Sequence, residues 1–308
     1  MLVLSFLKGL LRLLNDAIML KKRIIATLII REGVVVQSIG FNKYLPVGKP
    51  QIAVEFLNNW GIDEIVLLDI SATKSNLRPD FDLVKKIAKK CFVPLAVGGG
   101  IKTVNDVRLL TQSGADKVVL NSVCIQNVSI INEIAASFGN QCIIASVDLK
   151  MDSNNIIGVY DYISKSIMEL PPIEYMKLLE KNGVGEILLN FVDRDGQYNG
   201  FDIEAINSLK DCVSIPIIVQ GGAKDYCSFV DLFKNTNIDA AAASNFYHFS
   251  EHSVIITKAQ LKQLFDSIRV ETFSTYIQNK LDTRSRLSKK MDFELENLLY
   301  IKVEKEII

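Results

Sequence analysis

Three things are scarce in this chain: net charge, paired cysteines and long apolar runs. Its 35 Lys and Arg balance 35 Asp and Glu. Nothing in that charge calls for nucleic acid or an anionic membrane as the main partner. The five cysteines (Cys91, Cys124, Cys142, Cys212 and Cys227) are odd in number, scattered, and lack any CxxC or His/Cys spacing. That argues against a disulfide framework and a metal site, and fits reduced thiols in a cytoplasmic protein. No metal or cofactor is expected. No stretch is long and apolar enough to span a bilayer. What is present is 308 residues with 49% hydrophobic content, ample for one large core. Its short continuous apolar runs read as buried parallel strands.

The stretch from 94 to 122 organises the rest. It begins Pro94-Leu-Ala-Val-Gly-Gly-Gly-Ile101, continues as a helical run, and ends Gly114-Ala-Asp-Lys-Val-Val-Leu-Asn-Ser122. Two apolar strands thus end in groups suited to a phosphate: glycines that let backbone N–H groups approach an anion, and the start of a helix. The unit recurs. Pro216-Ile-Ile-Val-Gln-Gly-Gly-Ala223 repeats the first strand, and Asp239 to Asn245 repeats the second. Gly61-Ile-Asp-Glu-Ile-Val-Leu-Leu68 pairs with Gly183-Val-Gly-Glu-Ile-Leu-Leu-Asn190, and Ile24-Ile-Ala-Thr-Leu-Ile29 with Ile143-Ile-Ala-Ser-Val-Asp148. A spacing of about 120 residues is too long for a solenoid repeat. It is a half-barrel of four strand–helix units, and two such halves close into a (βα)8 TIM barrel.

The barrel is expected over residues 19–268. Residues 1–18, apolar and leucine-rich, read as an N-terminal extension, with Met19 as a second candidate start. Residues 269–308 echo nothing in the repeat and read as a C-terminal extension, with a short helix over 293–301. The segment from Arg31 to Pro50 reads as a long loop, of the kind that serves as a lid or binding loop.

Active sites of such barrels lie at the C-terminal ends of the strands. Gly99, Gly100, Asn121 and Ser122 form one candidate phosphate cradle. Gly221, Gly222, Ser244 and Asn245 form the other, across the mouth, so a ligand with a phosphate at each end fits. Four further polar groups end strands or follow them: Asp69, Asp148, Asn190 and Asp195. Asp148 closes a buried strand, where desolvation raises a carboxylate pKa and suits it to general acid or base work. Its structural alternative is a helix cap or a salt bridge to Lys150. Asp195 lies in an Asp-Arg-Asp-Gly turn that it equally suits as a turn former. Ile29 is the repeat mate of Asp148 and cannot move a proton. At the opposite end, Arg23, Glu64, Lys117 and Glu186 begin four strands and read as a salt-bridge ring closing the barrel bottom.

Several motifs together carry a resemblance: Leu68-Asp-Ile-Ser71, Val97-Gly-Gly-Gly-Ile101, Gly114-Ala-Asp-Lys117, Gly185-Glu-Ile-Leu-Leu189, Asp193-Arg-Asp-Gly196 and Gly221-Gly-Ala223. From residue 19 to about 265 the chain resembles the cyclase subunit of imidazole glycerol phosphate synthase, a lyase of histidine biosynthesis. The resemblance implies a bisphosphorylated ribulosyl substrate across the mouth and a glutaminase partner at the barrel bottom. Ammonia released there would pass through the barrel. It would join the substrate to give imidazole glycerol phosphate and an aminoimidazole carboxamide ribotide. By resemblance, Asp148 is one of two catalytic aspartates, the cradles hold the two phosphates, and Arg23, Glu64, Lys117 and Glu186 gate ammonia entry.

The departures all face the substrate. The second catalytic aspartate falls at Ile29, a lid lysine at Gln37, a threonine at Asn190 and a serine at Gln220. This pattern is similar to divergent paralogues associated with surface-polysaccharide genes. There the barrel would deliver ammonia to a sugar amidotransferase. The readings carried forward are the cyclase and, as the alternative, the ammonia conduit. Isomerase chemistry like that of the sister barrel also relies on two aspartates, so Ile29 counts against it.

Overall fold

A computed structural model describes residues 21–249 and 252–270, with Asp282 and Ser288 beyond them. The expected extension over 1–18, nearly all of that over 269–308, and the helix over 293–301 lie outside the described residues.

Eight short strands carry the architecture: β1 (Arg23–Arg31), β2 (Glu64–Asp69), β3 (Leu95–Gly98), β4 (Lys117–Leu120), β5 (Ile143–Met151), β6 (Glu186–Phe191), β7 (Ile217–Gln220) and β8 (Ala240–Ala243). Each pairs in parallel with the next. β8 pairs with β1 through Arg23 to Ala26, and β6 pairs with both β5 and β7, so the sheet closes on itself. This is the TIM barrel that the repeat predicted. Closure leaves none of the eight with an open edge.

The duplication extends to helix starts. Pro50 and Pro172 open equivalent helices, Pro50–Asn59 and Pro172–Lys181. There the missing N–H of proline costs nothing. Asp80 and Asp202 cap the next pair, Phe81–Ala88 and Ile203–Leu209. Thr103 and Asp225 form capping boxes on the third, Val104–Gln112 and Tyr226–Asn235. Each cap satisfies amide groups that a helix cannot satisfy itself.

Two cores result. Outward-facing strand residues pack against the helices, for example Ile24, Leu28, Ile65, Leu67, Ile187 and Leu189. Inward-facing residues from every strand fill the barrel: Ile25, Val66, Ala96, Val119, Ile144, Leu188, Ile218, Ala240 and Ala242. Because strand side chains alternate, each strand stacks its inward residues in layers two positions apart. Below the apolar layer lie Arg23, Glu64, Lys117 and Glu186. Above it lie Thr27 and Ser146, then Ile29, Asp148, Asn190 and Gln220. Four residues separate Lys117 from Asn121 and Glu186 from Asn190, or about 13 Å of strand.

One expectation needs correction. The segment 31–50 is not an irregular loop. Val34–Ile39 and Lys43–Gly48 form an antiparallel hairpin continuous with β1. Its repeat mate also exists, with Ile157–Asp161 pairing back onto β5 and Ser166–Ile167 beyond it. Past Ser253–Leu264, the last helix among the described residues, the chain returns to the start of β1. There Lys22 bridges Ile268 and the N–H of Arg269 donates to the Lys22 carbonyl. The same helix sends Lys258 into the interior, where its ammonium pairs with Asp63, both side chains fully buried. Among the described residues no helix is long and apolar enough to cross a membrane.

Candidate active site

At the bottom of the barrel, four charges converge. The Arg23 guanidinium reaches Glu64 at 2.8 Å and also contacts Glu186. The Lys117 ammonium lies 3.0 Å from Glu64 and 2.8 Å from Glu186. Cations and anions alternate around the axis, so each charge has two opposite neighbours. For Glu186, burial opposes ionisation, but Arg23 and Lys117 outweigh it and hold the pKa below the usual carboxylate range. At the more deeply buried Glu64 burial prevails and the pKa rises.

At the top, the mouth has a polar side and an apolar side. Asp148 ends the inward stack of β5 and is buried. Its carboxylate accepts from the Asn121 amide at 2.9 Å, just past the end of β4, and from the Asn190 amide at 3.0 Å on β6. Burial raises its pKa to about 6, against the lowering effect of both amides. The carboxyl therefore changes protonation near neutral pH, which suits proton transfer. It makes neither the cap nor the Lys150 salt bridge weighed above. The repeat mates of Asp148 and Asn190 are Ile29 and Leu68, so the other half presents hydrocarbon.

The glycine clusters face the same end. Gly99, Gly100, Gly221 and Gly222 all have positive φ. A Cβ at Gly99 would sit 2.2 Å from the Asp69 carbonyl oxygen, and one at Gly222 would sit 2.1 Å from that of Gly200. Asp69 itself caps the short helix Ile70–Lys74. The Gly100 N–H donates to Thr73 Oγ1 at 3.0 Å. Tyr162, from the β5 hairpin, brings its phenol to Thr73 and Ser122, and burial raises its pKa.

In the second half, Asp195, Tyr198, Gln220, Gly221, Gly222, Ser244 and Asn245 line one small pocket. Ser244 Oγ is buried there without a hydrogen-bond partner. Asp195 and Asn245 hold the β1 hairpin. Ser38 Oγ donates to the Asp195 carboxylate at 2.6 Å, and the Phe41 N–H adds a longer bond at 3.3 Å. The Gly40 N–H donates to the Asp195 carbonyl at 3.0 Å. The Asn245 amide donates to the Ser38 carbonyl at 2.6 Å and accepts from its N–H at 3.2 Å. Burial raises the Asp195 pKa to about 6. Thus Asn121, Asn245 and Asp195, each a candidate ligand contact from sequence, all have side chains bonded within the protein. Sequence reasoning missed Thr27, Ser38 and Tyr162. Only Thr27 had a signal, its place two residues before Ile29 on the inward face.

The chain matches the model of a family described as "Histidine biosynthesis protein" over residues 23–253. It is 39% identical to the "Putative imidazole glycerol phosphate synthase subunit hisF2" of Vibrio vulnificus (strain YJ016), over 87% of this chain and 98% of that one. The chain belongs to the HisF family. It is also 38% identical to the imidazole glycerol phosphate synthase subunit HisF of Bacillus cereus (strain G9842), over 82% of this chain and all of that one. Against HisF of Clostridium botulinum (strain 657 / Type Ba4) the identity is 40% over the same shares. In this HisF-family barrel the top of β5 carries the buried Asp148, and the equivalent place on β1 carries Ile29.

Proposed function

We propose that this HisF-family barrel uses ammonia, delivered from a glutaminase bound at the charged bottom, in the cyclase reaction on a bisphosphorylated ribulosyl aminoimidazole carboxamide substrate. The observation that carries the reading is Asp148. It is a buried carboxylate with a pKa of about 6 near the top of β5, level in register with Asn190 and so four residues of strand above Glu186 of the fully paired charge ring. It serves as the single general acid and base, while Gly99, Gly100 and Ser122 on one side and Gly221, Gly222 and Ser244 on the other hold the phosphates. Contacts of 2.8–3.0 Å close the ring, so ammonia enters when one pair parts, and being neutral it draws no counter-charge with it. The apolar layer above it offers no partner that would retain ammonia or protonate it.

A second reading is favoured by Ile29, 7% exposed and apolar at the place where the repeat would put a second carboxylate. In that reading the barrel conducts ammonia to a separate enzyme, a sugar amidotransferase of surface-polysaccharide synthesis. Losing one acid or base group slows a reaction on the order of 10²–10⁴-fold. Ile29→Asp therefore separates the two. Turnover of the ribulosyl substrate with ammonium salts should rise by at least tenfold if the cyclase site is otherwise intact. No gain from that reversion, together with failure to support growth of a strain lacking the cyclase, would leave the conduit.

A further inference from the structure

Arg23 opens β1, Glu64 opens β2, and their 2.8 Å bond is one side of the charged ring. Long side chains lose entropy when held in one geometry, so such a bond is only as firm as the backbone beneath it. A clamp sits in that backbone. Asp63, just before Glu64, holds Ile24, just after Arg23, in two ways. Its N–H donates to the Ile24 carbonyl at 3.2 Å, and its carboxylate accepts from the Ile24 N–H at 2.8 Å.

Asp116 grips Leu95 in the same manner just ahead of Lys117, with both bonds at 2.8 Å. Asp116 is exposed, so water shares its charge. Asp63 is 1% exposed, and a carboxylate that deep needs a cation. Lys258 supplies it at 2.5 Å, from the middle of the helix Ser253–Leu264. Beyond that helix the chain takes hold of the residue before Arg23. The Lys22 N–H donates to the Ser267 carbonyl at 2.7 Å, and the Arg269 N–H donates to the Lys22 carbonyl at 3.1 Å. Arg23 is thus braced on both sides by one C-terminal element. Glu186, by contrast, follows Gly185, the repeat mate of Asp63, which has no side chain to grip with. A Cβ there would lie 2.2 Å from the Asn140 carbonyl oxygen.

We propose that Asp63 and Lys258 are positioning residues of the ring, acting through the Ile24 backbone to keep Arg23 in reach of both glutamates. The use of the ring as the ammonia entrance rests on the reading above.

The test reads Glu186, the second partner of Arg23. Against burial, Arg23 and Lys117 hold its carboxyl below the usual range. Release of Arg23 therefore moves its titration up, which carbon NMR of the full chain labelled at glutamate follows. Asp63→Leu with Lys258→Met removes both charges and the clamp, and apolar replacement of a buried pair is often neutral for stability. Asp63→Asn with Lys258→Met removes the same charges but leaves an oxygen for the Ile24 N–H. The first variant should titrate Glu186 at higher pH than the parent, and the second should titrate it as the parent does. Near-UV circular dichroism checks the fold; where the leucine variant loses it, Asp63→Ala with Lys258→Met takes its place. In complex with the glutaminase, loss of the clamp should lower glutamine-driven turnover while ammonium-driven turnover holds. Equal Glu186 midpoints in parent and clamp-free variant, an equal rise in both variants, or an unchanged ratio of glutamine-driven to ammonium-driven turnover would overturn the role. A parent complex that uses ammonium salts but not glutamine would remove the entrance reading instead, and the Glu186 titration would still decide the brace.

Discussion

Replacing Asp148 with asparagine should stabilise the protein at alkaline pH while abolishing proton transfer. The carboxyl has a folded-state pKa of about 6, against about 3.9 in an unfolded chain. Between those values the folded state binds more protons than the unfolded state, so stability falls as pH rises through the window. Once both states are ionised, the cost reaches about 3 kcal/mol. Below the unfolded pKa it is absent. An asparagine carries no charge to desolvate, and the site can satisfy it. Its oxygen accepts from Asn121, and its nitrogen donates to the Asn190 oxygen once that amide turns over. That oxygen is buried without a partner in the parent protein. The expected gain is about 1–3 kcal/mol at pH 8, or about 2–10 °C in melting temperature for a chain of this size, and near zero at pH 4. Thermal melts of parent and variant at both pH values read it directly. An equal shift at the two pH values, or destabilisation at pH 8, would refute the account of Asp148 as a desolvated carboxylate.

Other expectations are more local. Gly222→Ala would place its Cβ 2.1 Å from the Gly200 oxygen in a positive-φ turn. It should lower stability by about 1–3 kcal/mol and weaken phosphate binding, both measurable on the purified variant. Lys258→Met would leave the buried Asp63 carboxylate without its cation and should cost about 3–5 kcal/mol in denaturant unfolding. Asp63→Asn combined with Lys258→Met should recover a large part of that loss. Cys124, whose thiol is buried and pushed up to about 12, should resist alkylation in the native protein, while the exposed Cys227 reacts; mass spectrometry after iodoacetamide treatment distinguishes them.

Much of this molecule was legible because it is written twice. A strand seen in one half could be checked against the other, and glycines that must turn with positive φ stand out wherever they repeat. The four charges of the ring were legible as strand starts, although only the folded chain shows that Arg23 and Lys117 each bridge both glutamates. The hairpin at 34–48 escaped for a local reason. Val34–Ile39 has the β-branched run of a strand, but Pro46 and Gly48 interrupt its partner, and such residues usually argue against a strand. The bonds of Asn245 and Asp195 to Ser38 join residues more than 150 positions apart, so no window along the chain contains them. The reach of Gln220 to Thr27 depends on what β8, the strand between them, lacks, and a missing side chain leaves no pattern to read.

The hairpin bonds to Asp195 and Asn245 set a toll on traffic through the second half of the mouth. A molecule reaching that pocket past the hairpin must first wait for it to let go, and a product leaving by the same way must wait again. Under this arrangement the hairpin governs access to the pocket rather than the step carried out beyond it. Loosening it at Ser38 would trade tightness of grip for speed of exchange.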